Sequence, residues 1–218
     1  DIVKLKAENE NGKWRYGQHF VSDSLNGIVY EAGFEQVKEN RYWFDFSITN
    51  RSNLPILIDP ANFYCQPFDG KMQPLTEHKV PAVDPEKEIF EIEKELSKID
   101  AREANHIGLS LLAASVDVAS GIAVATDDNP HNNHMRTHLF HGVQAERAED
   151  EFEAQSLSDM MDAWKSSTVR KTTLESNYAI KGKVFFPAFH EAAFIKLYLP
   201  VDSQFVELNY KQVQFPVD

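Results

Sequence analysis

One cysteine, Cys65, is all the thiol the 218-residue chain contains. No intrachain disulfide can form, and a cysteine-based zinc site is excluded. A chain of this length builds a sufficient core without a disulfide, so the scarcity does not exclude export. Glycine is also sparse, at nine. There is no phosphate-binding glycine loop, no Gly-x-Ser-x-Gly nucleophile turn, and no His pair spaced for a helix with an intervening Glu. Positive charge is the scarcer sign: 22 Lys and Arg stand against 34 Asp and Glu, a formal net charge of −12. That field repels phosphate backbones and anionic headgroups, which disfavours nucleic acid and charge-driven membrane binding. A long hydrophobic run is missing too. Gly108 to Ala125 comes nearest, but it is rich in Ala, Ser and Gly and carries Asp117. An Asp at the centre of a span costs about 2.5–3.5 kcal/mol, so the stretch reads as a packed helix.

What the chain has in quantity is aromatic: 15 Phe, 7 Tyr and 3 Trp. Such rings favour pleated, half-buried surfaces. The clearest strand is Tyr42 to Thr49, where Tyr42, Phe44, Phe46 and Ile48 share one face. Asn50 to Asn53 follows as a polar turn, and Pro55 to Ile58 resumes extended structure until Asp59-Pro60. Ile28 to Tyr30 and Gly33 to Val37 read as strand or turn pieces. Phe63 to Pro67 and Lys71 to Leu75 flank Asp69-Gly70, a hairpin signal.

At Asp84-Pro85-Glu86 the pattern becomes helical: a capping Asp, a proline suited to the first helical position, then acids in the first turn. Three helices are predicted, over about 85–98, 104–125 and 145–171, with a break at 127–133. Strands return at Ile180–Phe186, Ala193–Leu199 and from Val206 onward, where a phase change at Gln212 predicts a bulge. Strands, then about 90 residues of helix, then strands imply one discontinuous β-sandwich of residues 1–83 and 172–218. Residues 84–171 are then an inserted helical region.

The runs Trp43–Ser52 and Pro55–Pro60, with Thr172–Leu174, Gly182–Pro187, Leu197–Pro200 and Phe205–Tyr210, resemble a family of secreted Ig-like domains of uncharacterised function. Such domains occur in bacterial exported proteins and lipoproteins. The likeness covers about half of the chain and departs from the usual pattern at Ser176-Asn177-Tyr178, where a Pro-Gly type turn is customary. It implies an Ig-like antiparallel β-sandwich and an extracytoplasmic, periplasmic or cell-surface address, often with an upstream lipid anchor as the only membrane attachment. The chain opens on Asp1 rather than Met, which leads to the expectation that a segment ahead of it was removed.

Four groups of side chains invite a chemical reading. His131, His134, His138 and His141 are spaced three, four and three, which on a helix gathers them near one face. Neutral imidazoles so placed suit weak binding of zinc, nickel or copper. The bland reading is a solvated connector, since Asn129-Pro130, Asn132 and Asn133 fit a helix interior poorly. His106 reads as a ligand or proton carrier, or as a satisfied helix-terminal residue. Asp117 is a buried carboxylate or a solvent-facing one. Asp59 and Asp84 are paired acids or ordinary turn and cap residues.

Cys65, in the run Phe63-Tyr64-Cys65, reads as packed and inert. Trp164 with Leu157, Met160 and Met161 forms a stripe that docks a partner or packs internally. The leading expectation is a non-enzymatic extracytoplasmic binding or structural module with no cofactor, whose partner is a protein or cell-envelope component. The helical insertion offers a surface for homo-oligomers. The rivals are a metal-binding protein built on the histidine run and a hydrolase with dispersed carboxylates.

Overall fold

The computed structural model describes residues 2–8, 12–15, 17–121 and 150–215. The described chain is mainly antiparallel β, and it divides into two compact units: residues 1–88 with 164–218, and residues 89–163.

The described residues of the first unit form twelve strands: β1 (Ile2–Ala7), β2 (Lys13–Arg15), β3 (Gln18–Leu25), β4 (Ile28–Lys38), β5 (Arg41–Asn50), β6 (Ile56–Ile58), β7 (Tyr64–Phe68), β8 (Val80–Pro81), β9 (Thr172–Leu174), β10 (Ala179–Pro187), β11 (Phe194–Val201) and β12 (Gln204–Phe215). They form two five-stranded sheets. Sheet A has the order β1-β12-β11-β7-β8 and sheet B the order β10-β5-β4-β3-β2, while β6 and β9 make a two-stranded ribbon. Both large sheets mix strands from the two ends of the sequence, so neither end folds a sheet alone.

The predicted β5 forms with Tyr42, Phe44, Phe46 and Ile48 buried. Opposite them, Ile195, Leu197 and Leu199 of β11 and Val206, Leu208 and Tyr210 of β12 supply the inner face of sheet A. The faces meet edge-to-face: the rings of Phe44 and Tyr210 lie 5.2 Å apart. Burying each such ring contributes about 1.5–3 kcal/mol. Two phenols cross the core to backbone carbonyls, Tyr30 Oη to Pro200 O at 2.9 Å and Tyr210 Oη to Ala32 O at 3.1 Å. Buried Asn50 ties the ends together. Its Nδ2 donates to Leu54 O at 2.8 Å and to Leu174 O at 2.9 Å, and its Oδ1 accepts from Ser52 N at 2.9 Å.

Several sequence expectations are revised. Residues 28–30 and 33–37 are one strand, entered through Asn26 and Gly27, both at positive φ, the backbone a two-residue hairpin turn requires. The expected turn at Asp69-Gly70 forms, with Asp69 N donating to Gln73 O and Leu75 N to Pro67 O at 2.9 Å each, while Tyr64 and Cys65 of β7 pair with β8. The Asp69 carboxylate braces that turn by accepting from Lys71 N and Gln73 N at 2.8 Å each, and Pro74, which lacks an N–H, limits the pairing to a single bridge with Phe68.

The bulge expected at Gln212 is absent: β12 pairs in unbroken register with β1 and β11, and Gln212 occupies the buried position itself. The bulge lies at Glu35 in β4. The first two predicted helices are one, α1 (Pro85–Gly121), because 98–104 contains good helix formers and neither Pro nor Gly. The third helix is represented by residues 150–167, here α2, and stops short of 171. Thr168 and Val169, both β-branched, leave the helix to run beside β10. The described residues therefore contain two helices rather than three. The predicted break at 127–133 lies outside them.

In the second unit, Arg102 of α1 bridges Asp150 and Glu153 of α2, each at 3.2 Å. Ile92 and Ile99 are buried.

Candidate binding groove

The four histidines, His131, His134, His138 and His141, lie outside the described residues. His106 and Asp117 fall within the α1 backbone. Among the described residues no group of three or more His, Cys, Asp or Glu side chains is arranged to hold a metal ion. None of the described helices is long and apolar enough to cross a membrane.

The two Asp-Pro acids serve the backbone. Asp59 Oδ1 accepts from Ala61 N at 3.2 Å at a 3-10 turn, and its other oxygen meets Lys171 Nζ at 3.0 Å. Asp84 Oδ1 caps α1 by accepting from Glu86 N at 3.0 Å. Trp164 packs internally, its ring 5.0 Å from Phe185. Cys65 is wholly buried in β7, and burial pushes its thiol up to about 12. An apolar neutral thiol there is a packing group.

What the fold builds instead is a groove of about 910 Å³ along β1. Its walls are β1 from Val3 to Ala7, the β2–β3 turn with Trp14 and Gly17–His19, and β4 from Phe34 to Val37; His190 and Phe215 complete it. The alternation of Ile2-Val3-Lys4-Leu5-Lys6-Ala7 explains its near wall. Val3 and Leu5 are buried in the core, and Lys4 and Lys6 are exposed. Trp14 stands 74% exposed with its ring 5.4 Å from that of His19. A large amphipathic ring left in water beside a concavity is the composition of a binding surface.

Register fixes the backbone polarity. Glu8 N donates to Asn209 O at 2.9 Å, and Lys6 pairs with Lys211 and Lys4 with Val213. Alternate residues of an antiparallel strand point opposite ways, so the N–H and C=O groups of Val3, Leu5 and Ala7 aim away from β12. Among the described residues nothing hydrogen-bonds them from that side.

Behind His190, the loop that carries it is hydrogen-bonded to the core. Tyr42 Oη lies 2.6 Å from Gln212 Oε1 and accepts from Phe189 N at 2.9 Å. Gln212 Nε2 donates to the carbonyls of Phe189 and His190 at 3.0 Å each. Burial holds the Tyr42 phenol well above its ordinary value, against a smaller lowering by its bond to Phe189. It therefore remains a neutral donor, and the network fixes the loop that presents His190. Asn40 Oδ1 meets His190 Nε2 at 3.2 Å.

At the bulge, Glu35 pairs with Lys183, whose ammonium also donates to Asp45 at 3.1 Å. Burial alone would lower the Lys183 pKa; the two carboxylates outweigh it and hold it above the ordinary value. Glu35 thereby shares one ammonium with Asp45 in the groove wall.

Sequence reasoning missed this groove. A readable signal existed in the apolar–Lys alternation of residues 2–7, the pattern of a protected sheet edge. The placement of Trp14 beside it had none, because that is a product of how the two sheets stack. Comparison with known proteins gives no matching family model, no matching curated protein and no matching solved structure.

Proposed function

We propose that this protein is a non-enzymatic binding module on an Ig-like sandwich, acting outside the cytoplasm, and that it takes its ligand in the groove along β1. The observation that carries the reading is the conjunction of that concavity, a strand edge whose outward backbone groups are unpaired among the described residues, and Trp14 exposed at its rim. Two stacked antiparallel sheets support the Ig-like assignment, and the resemblance of the β5–β6 and β10–β12 segments to exported domains supports the address.

The test is a screen of the full chain and its Trp14→Ala variant on arrays of peptides and envelope oligosaccharides. Ligands bound by the parent and lost by the variant uphold the groove. Ligands retained equally by both place binding elsewhere. Fractionation of cells producing the protein from its native gene tests the address; recovery in the cytosol counts against it.

The spacing of His131, His134, His138 and His141 favours one second reading, a metal-binding role for that run. Calorimetry with zinc and nickel decides it, and the absence of binding tighter than about 10 μM retires it.

A further inference from the structure

The edges of the two sheets are unequal. At one end of sheet A, β8 is two residues long and ends in Pro81. In sheet B, β10 is covered by the backbone of Val83 and Val169, and β2 is three residues long. β1 is different: six residues, paired among the described residues on one side only, with a groove along the other. A strand edge of that length is a template for another strand.

Charge selects what kind. On a chain of net charge −12, the outer face beside this edge carries Lys4, Lys6 and Lys211, with Glu8 just past the end of β1, and Lys6 stands directly opposite Lys211. Like charges so placed repel. Among the described residues, none of the three has a carboxylate within ion-pair distance. The net negative field is screened beyond roughly 8 Å at physiological salt, so a bound strand feels the charges nearest it: three lysines, against Glu8 past the strand's end and Glu35, which shares Lys183 with Asp45. Antiparallel β1–β1 pairing about Leu5, the register that pairs the most residues, sets Lys4 against the Lys6 of the other copy and is disfavoured.

We infer that the groove, if it is the binding site argued above, receives an extended acidic peptide that adds to sheet A as a strand beside β1. Its backbone pairs with the N–H and C=O groups of Val3, Leu5 and Ala7. Carboxylates at alternate positions meet Lys4 and Lys6, and the intervening apolar side chains face the groove lining at Trp14, Phe34 and Val37.

The experiment uses the full chain and two labelled eight-residue peptides, one alternating Glu and Val, the other Lys and Val. Fluorescence anisotropy is to show the Glu peptide binding at least tenfold tighter. The double variant Lys4→Glu, Lys6→Glu is to reverse that order. Hydrogen exchange is to show the amides of Val3, Leu5 and Ala7 slowed at least tenfold by the Glu peptide. Equal affinity for both peptides, no binding of either, or binding without that protection overturns the inference, as does a β1–β1 dimer in sedimentation. An anionic oligosaccharide that binds, depends on Lys4 and Lys6 and leaves the three amides unprotected also overturns it. If Trp14-dependent ligands emerge from the arrays while the peptides fail, only the strand inference falls. If neither binds, the groove assignment falls with it.

Discussion

The outer edge of β10 and the outer edge of β1 are both long enough to accept another strand, and the chain treats them in opposite ways. Along β10 the sequence brings in two segments from outside the sheet: Val169 N donates to Lys183 O at 3.0 Å and Val83 N to Phe185 O at 2.8 Å. The approach is so close that Gly182 is obligatory, for a Cβ there would lie 2.6 Å from Thr168 C and Val169 N. Along β1 no described segment does this, and the edge is guarded only by lysines. A covered edge is structural. An edge left open and charged in a single sign keeps aggregation down while remaining available to a complementary strand.

The largest expected effect comes from forcing the covered edge apart. Gly182→Val is expected to destabilise by about 3 kcal/mol, through overpacking against backbone that cannot give way. In a domain of this size that lowers the melting temperature by roughly 6–12 °C in calorimetry. An unchanged Tm would mean that the 168–169 segment is not seated on β10.

Next is the buried network beneath the open edge. Tyr42→Phe leaves Gln212 Oε1 without its donor and is expected to cost about 1–3 kcal/mol in urea unfolding. The double variant Tyr42→Phe, Gln212→Leu is expected to cost less than the sum of the single ones, because the two groups share one interaction. Strict additivity would contradict the network.

A smaller change of opposite sign separates stability from binding at β1. Lys6→Glu turns the repulsion with Lys211 into attraction and is expected to stabilise the fold by about 0.2–1 kcal/mol, while weakening any acidic ligand. A fall in both stability and binding would make Lys6 structural.

The smallest effect is at the start of α1. The Arg170 guanidinium donates to both Glu86 oxygens, at 2.9 and 2.5 Å, and holds that carboxyl below its ordinary value despite partial burial. A carboxyl depressed in the folded state contributes stability at neutral pH. It loses that contribution as pH falls from about 4.3 through the depressed value. For so exposed a pair the contribution is under about 1 kcal/mol. Glu86→Gln is expected to flatten the stability–pH curve below pH 5 by that amount.

Legibility in the sequence followed the range of the interaction. β5 was readable because Tyr42, Phe44, Phe46 and Ile48 alternate within one strand, and the start of α1 because Asp84 and Pro85 act on the next turn. The Asn26-Gly27 turn was equally readable and was missed, which split β4 into pieces. The bulge was misplaced because a Gln in a buried register looked like a phase error. Its amide is satisfied by Tyr42, 170 residues away in sequence, and by the loop at Phe189 and His190. The extra helix boundary came from reading two apolar patterns as two helices where no residue breaks the backbone.

By itself the sequence determined the antiparallel strands with their inward faces, the cap of α1 and the inert setting of Cys65, since each depends on neighbours two to four positions away or on bulk apolar character. Only the tertiary structure decided which edge is covered and which is open, and that Trp14, β1 and the bulge of β4 share one groove. Those facts follow from pairing between chain segments up to about 200 residues apart, which alternation specifies as buried or exposed but never as partners.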